Sequence, residues 1–291
     1  MLHRIVNVRT IWIVPLFQSL ILAAEPLTGQ FSGGVNLVEV YATVTDRSGE
    51  PILGLVSEDF TVSEDSEPQR VTTFAAGEFP LSVVVALDRS FSMAGRPLAL
   101  AKEAAQEFIG ALRPKDDVTV LAIGSEVQTI TPHLPASQAA ATRWDAIDAW
   151  GTTPLYDVML RALNMPQTRP GRTALLLVSD GVDRDSRTTA TELIDRARQG
   201  NVLVYPIAVG QARSPVFAEI AAVTGGRSFF VKDPRDLRPT LAGIARELRF
   251  QYLLGYSPAR PSSSEPQWRS IDVTVDRPGA RVRARDGYVS R

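Results

Sequence analysis

The 291-residue chain contains no cysteine. Disulfides, thiolate chemistry and lipid attachment through a cysteine are therefore excluded, and the fold must be stabilised by its core. Histidine is nearly absent as well, with only His3 and His133. No Gly-x-Ser-x-Gly elbow accompanies His133, which lies in a Pro-flanked segment (TPHLP) and reads as a surface loop residue, so a Ser-His-Asp triad has no support. A Walker loop is missing too, which argues against a P-loop ATPase. Nor is there an excess of either charge: 31 Lys and Arg face 32 Asp and Glu, for a net charge of −1. That balance gives no footing for nucleic acid or for an anionic membrane surface.

A long membrane-spanning run is also lacking. Met1–Arg9 carry Arg4 and Arg9 without an acid, Ile11–Ala24 is apolar, and the small residues Ala23 and Ala24 precede Glu25 and Pro26. This pattern predicts a cleavable export signal over residues 1–24 and a secreted or periplasmic protein. The rival reading, an uncleaved anchor, fits less well. The run is shorter than the ~20 residues a bilayer requires, and Pro15 interrupts it. Cleavage would leave 29 basic and 32 acidic residues, a net charge of −3.

What the chain does have is a buried-strand signature at Val83–Ser92 (VVVALDRSFS) that ends in Asp-x-Ser-x-Ser. A loop leaving that strand can curl Asp88, Ser90 and Ser92 around one point. Their all-oxygen donor set suits Mg²⁺, Mn²⁺ or Ca²⁺, and not zinc or copper. Alone, such a pattern is no more than a polar turn with a Ser cap. Two further segments change the weighting: Gly151–Asp157 (GTTPLYD), with Pro154 at a helix start, and Ala174–Gly181 (ALLLVSDG), a second buried strand. Three loops thus supply Asp88, Ser90 and Ser92, then Thr153, then Asp180. In an open parallel sheet such loops gather at the carboxyl ends of the strands.

In this order the motifs resemble a von Willebrand factor type A domain, with the resemblance covering roughly residues 80–249. It implies that Asp88, Ser90, Ser92, Thr153 and Asp180 form a metal-ion-dependent adhesion site holding a divalent cation. Asp88 and Asp180 would act partly through water, with an open coordination position for an Asp or Glu of a protein partner. Arg89 inside the first motif and the Thr152–Thr153 pair are less usual for the family and alter the surroundings of the site. In some members the last helix moves along the sheet, and here residues 234–249 run into the next strand without a Gly or Pro between Ile244 and Leu254.

From Leu81 onward, strand and helix patterns alternate, predicting a mostly parallel sheet covered on both faces. Helices are expected at 97–112, 137–150, 188–199, 215–224 and 234–249. Strands are expected at 117–123, 127–130, 201–210 and 227–231. Residues 35–78 and 250–291 read as β structure, each too short to bury a core alone. The predicted architecture is a doubly wound α/β domain at 80–249 inserted in a small β-sandwich made of 35–78 and 250–291, after a flexible lead at 25–34.

Other polar clusters receive plainer readings. The acidic turn Ser63–Pro68 (SEDSEP) and the alternating Arg281, Arg283 and Arg285 are expected to be solvated. Asp183 and Asp185 are expected to form an exposed helix-start cluster. No general base can be assigned beside the metal, so the chain reads as a binding module and not an enzyme. The alternatives are a structural component of an envelope complex with a vestigial metal site and, third, a metal-dependent hydrolase.

Overall fold

Near-continuous apolar runs, whose successive side chains point to opposite sides, give the central sheet two buried faces. In the computed structural model, which describes residues 37–77, 79–165, 171–210, 213–261 and 265–290, six strands form this sheet. They are β5 (Leu81–Asp88), β6 (Asp117–Ile123), β7 (Val127–Pro135), β8 (Arg172–Ser179), β9 (Val202–Val209) and β10 (Phe229–Val231), in the order β10-β9-β8-β5-β6-β7. All neighbours run parallel except β6 and β7.

Val83, Val85 and Leu87 of β5 face one core with Leu98, Ala105 and Phe108 of α1 (Arg96–Ala111) and Leu241 and Ile244 of α6 (Leu237–Arg249). Val84 and Ala86 face the other core. It holds Leu155 and Val158 of α3 (Leu155–Leu163), Leu193 of α4 (Ala190–Gln199) and Phe217 of α5 (Pro215–Thr224). Fully buried side chains such as Phe108 and Phe217 each contribute about 2–3 kcal/mol of transfer free energy. The chain winds from β5 to β6 and β7 on one side, then returns to β8 on the other. The switch point therefore lies between β5 and β8, where ligands bind in open α/β sheets.

The remaining strands form two antiparallel sheets. One has the order β13-β1-β11-β4, from β13 (Arg281–Arg283), β1 (Val38–Thr45), β11 (Gln251–Tyr256) and β4 (Val71–Gly77). The other has the order β14-β12-β2-β3, from β14 (Gly287–Ser290), β12 (Gln267–Val275), β2 (Phe60–Glu64) and β3 (Glu67–Gln69). Both sheets mix strands from before and after the central sheet. Their shared core contains Val40, Ala42 and Val44 with Phe60, Val62, Leu254, Ile271 and Val273. The fold is thus a doubly wound, mostly parallel α/β unit inserted in a small β-sandwich, as the periodicity predicts. The described residues all lie within one compact unit, and among them no helix is long and apolar enough to cross a membrane. The export signal and lead read over residues 1–34 lie outside the described residues.

Several expectations need correction. The helix expected at 137–150 is only one turn, α2 (Ala136–Ala139). Trp144 and Ile147 reach the core from irregular backbone, since the chain must turn to bring Trp150 against the β5 loop. β7 extends to Pro135, which puts His133 on a strand, with Nε2 3.5 Å from Asp117. In the acidic turn Ser66, Glu67 and Pro68 are exposed as expected, but Glu64 is buried. Glu64 continues the inward alternation of Phe60 and Val62, and its Oε1 accepts from the Arg269 guanidinium at 2.8 Å. Tyr256 and Tyr288 hydroxyls donate to its other oxygen at 2.8 and 2.9 Å, and burial pushes the Tyr288 phenol up to about 12. Arg281 is exposed as expected, whereas Arg283 and Arg285 are partly withdrawn from solvent. Arg283 forms an ion pair with Glu247 at 2.6 Å and donates to the Gly226 carbonyl at 3.0 Å.

Candidate metal centre

The site begins where β5 stops. Asp88 is fully buried, and an unpaired charge there would be costly, so the surrounding donors are the first question. Its Oδ1 accepts from the Ser90 backbone N–H at 2.8 Å and from the Thr153 hydroxyl at 2.8 Å. Its Oδ2 accepts from the Ser179 hydroxyl at 2.6 Å. One carboxylate thereby ties together the loops after β5 and before α3 and the end of β8. Strand register explains the last contact: Leu87 pairs with Val178, which sets Ser179 beside Asp88.

From Ser90 the contacts run outward. The Ser90 and Ser92 hydroxyl oxygens are 3.0 Å apart, with Ser90 buried and Ser92 exposed. Asp180 lies at the rim, its Oδ1 accepting from the Val182 N–H at 3.0 Å. Its Oδ2 pairs with Arg184 Nη1 at 3.2 Å, and the same nitrogen lies 3.5 Å from Ser92 Oγ. The Arg184 backbone N–H donates to the Thr153 carbonyl at 3.0 Å. All five sequence-predicted positions therefore meet in one hydrogen-bonded chain, Thr153–Asp88–Ser90–Ser92 with Asp180 joined through Arg184.

The loops are braced by their backbones. Trp150 N–H donates to the Arg89 carbonyl at 2.7 Å and Phe91 N–H to the Gly151 carbonyl at 3.1 Å. Gly151 has φ 77°, and a Cβ there would stand 2.3 Å from Ser125 Oγ, so the turn before Thr152 requires glycine. Pro154 provides no side-chain cap for α3. Asp183 and Ser186 supply it instead, accepting from Tyr156 N–H at 3.1 and 3.0 Å. Asp183 thus caps a helix other than the one it precedes. Burial acts to raise the Asp157 carboxyl, but donors from Thr188 and Arg187 outweigh it and hold the group below its ordinary value.

Sequence reasoning missed two residues here. Ser179 carried a signal, a hydroxyl closing an apolar run, but its meaning depends on which strand lies alongside. Arg184 carried none, since its role depends on how the loop after β8 folds back.

The donor chemistry fits a hard divalent cation. Among the described residues no three His, Asp or Glu side chains cluster to form a carboxylate or imidazole cage. The hydroxyls of Ser90, Ser92 and Thr153 instead meet two carboxylates, a set of oxygen donors only. The guanidinium of Arg184, placed between Asp180 and Ser92, marks the same spot as one that attracts a cation.

The pattern of the von Willebrand factor type A domain family matches residues 82–242, more than half of the chain, and the chain belongs to that family. Inter-alpha-trypsin inhibitor heavy chain H1 of Bos taurus is 24% identical over 260 residues, 78% of this chain. That alignment covers 29% of the bovine protein, so the chain spans less than a third of that relative. Among solved structures, a von Willebrand factor type A protein from Catenulispora acidiphila matches with a TM-score of 0.54 at 17% identity, covering 77% of this chain and 71% of its own. Proximal thread matrix protein 1 from the mussel byssus, with a zinc-occupied MIDAS motif, matches with a TM-score of 0.52 at 13% identity. It covers 62% of this chain and 48% of its own. At these identities the likeness is one of fold.

Proposed function

We propose that this chain is an exported protein-binding module that captures an acidic residue of a partner through a divalent metal. Asp88, Ser90, Ser92, Thr153 and Asp180 would hold the ion, Mg²⁺ foremost, with Mn²⁺ or Ca²⁺ as alternatives. A bound cation supplies an electrophilic centre with a position open to a carboxylate. The chain's own residues do the rest. Asp88 fixes the hydroxyls of Thr153 and the loop at Ser90, and Asp180 brings negative charge to the rim.

The observation that carries this reading is the run of contacts that joins these five residues from three loops at the sheet's switch point, through the Ser90 backbone N–H and the Arg184 guanidinium. Export rests on the leader pattern of residues 1–24. The site is taken as one for binding, since no general base is assigned beside the five positions among the described residues. Isothermal titration with Mg²⁺ or Mn²⁺ should show one site, and Ser90→Ala with Ser92→Ala should abolish it in a folded protein. Undiminished binding in that variant would sink the assignment. The zinc-occupied motif of the mussel protein makes Zn²⁺ a required competitor in the titration.

A second reading is favoured by Arg184, whose guanidinium already satisfies Asp180. On that reading the metal site is vestigial and the chain is a structural component of an envelope assembly. Partner binding would then survive both EDTA and Asp180→Ala.

A further inference from the structure

The α/β part of the chain, residues 81–249, exposes three large hydrophobic side chains among its described residues: Phe91, Trp150 and Val182. Each stands on a different one of the three site loops. Phe91 lies between Ser90 and Ser92, Trp150 just before the Gly151–Thr153 turn, and Val182 two residues past Asp180. Elsewhere this unit buries its large apolar residues on the two faces of the sheet. Concentrating the exceptions around one polar centre is the mark of a contact surface.

The collar is not loose. The backbone bonds Phe91 N–H to Gly151 carbonyl and Trp150 N–H to Arg89 carbonyl fix two of its members against each other. The Arg89 guanidinium lies 5.3 Å from the centre of the Trp150 ring and steadies its orientation. Val182 is held by its N–H bond to Asp180 at 3.0 Å. Loops whose backbones are fixed, and a Trp150 ring already held, lose less entropy when a partner arrives.

Resting on the reading given under Proposed function, we propose that the partner's epitope is an extended protein segment with one Asp or Glu flanked on both sides by aliphatic or aromatic side chains. The carboxylate matches the centre, where a bound divalent ion would supply the positive charge that Arg184, already paired with Asp180, does not. The flanking apolar side chains match Phe91, Trp150 and Val182, whose contact excludes water from the charged contact and so strengthens it. A purely acidic segment would leave the collar solvated, and a purely apolar one would leave the centre unpaired.

The test is selection of a random-peptide phage library on the immobilised protein in MnCl₂, with elution by EDTA. The expected result is a set of peptides with one Asp or Glu and apolar neighbours. Phe91→Ser with Trp150→Ser should lower their affinity about tenfold or more while Mn²⁺ binding is unchanged. Phe91→Ser alone, at the collar's most exposed position, should act in the same direction without risk to folding. Acidic peptides with unbiased flanks, equal binding by the collar variants, or no enrichment would overturn the collar and leave the metal reading standing. Peptides that lack an acid or persist in EDTA would overturn both. Self-association abolished by Phe91→Ser would mean that a second copy covers the face, and would also overturn the proposal.

Discussion

The two ends of the central sheet are finished in opposite ways. At the carboxyl ends of β5 and β8, short hydroxyl and carboxylate side chains meet in a half-open cluster rimmed by exposed apolar residues. At the other end, charged residues are enclosed. Arg172 donates to the Leu248 carbonyl, to Gln251 Oε1 at 2.8 Å and to the Phe79 carbonyl at 3.2 Å, and Gln251 in turn donates to Thr43 of β1 at 2.8 Å. Burial pushes the Arg172 guanidinium down to about 10, a desolvation cost that these acceptors offset. Beside it, Glu247 accepts from the Tyr205 hydroxyl at 2.7 Å and pairs with Arg283. Burial first, then the Glu247 charge, pushes the Tyr205 phenol well above its ordinary value. The enclosed end joins α6 and the α/β sheet to the sandwich, and the open end faces outward. Polar groups whose partners lie inside the molecule hold it together, whereas those at the open rim are available to bind.

That contrast predicts unequal sensitivity. The largest loss is expected at the enclosed end. Glu247→Ala would strand the Arg283 charge and the Tyr205 hydroxyl, for about 3–5 kcal/mol measured by urea unfolding. Gly225→Ala should follow at about 3 kcal/mol. Its φ is 77°, and a Cβ would stand 2.6 Å from the Ala284 carbonyl carbon, jamming the sandwich against α5. At the open end, Ser179→Ala removes one donor from the buried Asp88 carboxylate and should cost about 1–3 kcal/mol. Arg184→Gln should leave stability within about 0.5 kcal/mol, because its ion pair is partly exposed. The same change removes a cation that competes for Asp180, so Mn²⁺ affinity in titration should rise about two- to fivefold. A drop in Mn²⁺ affinity would show that Arg184 supports the site and does not compete there.

The open end was far more legible in the sequence than the enclosed one, for a physical reason. Asp88, Ser90, Ser92, Thr153 and Asp180 stand at element ends, where local chemistry alone marks a turn or cap, and unbroken apolar runs marked the strands that lead to Asp88 and Asp180. The enclosed end and the sandwich are assembled from residues whose partners are remote in sequence. Arg172 meets Gln251, Glu64 meets Arg269, and Glu247 meets Arg283. Nothing local distinguishes such residues from solvated charge, so Glu64 read as part of a turn and Arg283 as an outer face. Pairing order decided both, and period-2 alternation carried past Val62 to Glu64 was the one usable hint. The over-long helix at 137–150 has the same origin. Trp144 and Ile147 are spaced as a helix would space them, yet they pack from turns.

The smallest effect expected is communication between the two ends. In some members of the family the last helix moves along the sheet, and here α6 runs straight into β11. Sliding would have to break the bond from Arg172 to the Leu248 carbonyl, the Tyr205–Glu247 bond and the Glu247–Arg283 pair together, all within the last turn of the helix. A second state lacking these contacts would be several kcal/mol higher and too sparsely populated for a ligand to select. Metal affinity should therefore be indifferent to the joint. A Gly-Ser spacer after Arg249, or the milder Glu247→Gln, should change Mn²⁺ affinity by less than about twofold even where unfolding shifts markedly. A change of tenfold or more in a folded variant would require about 1.4 kcal/mol of coupling across the sheet. The enclosed end would then be a latch on the open one, and the separation of roles between them would fail.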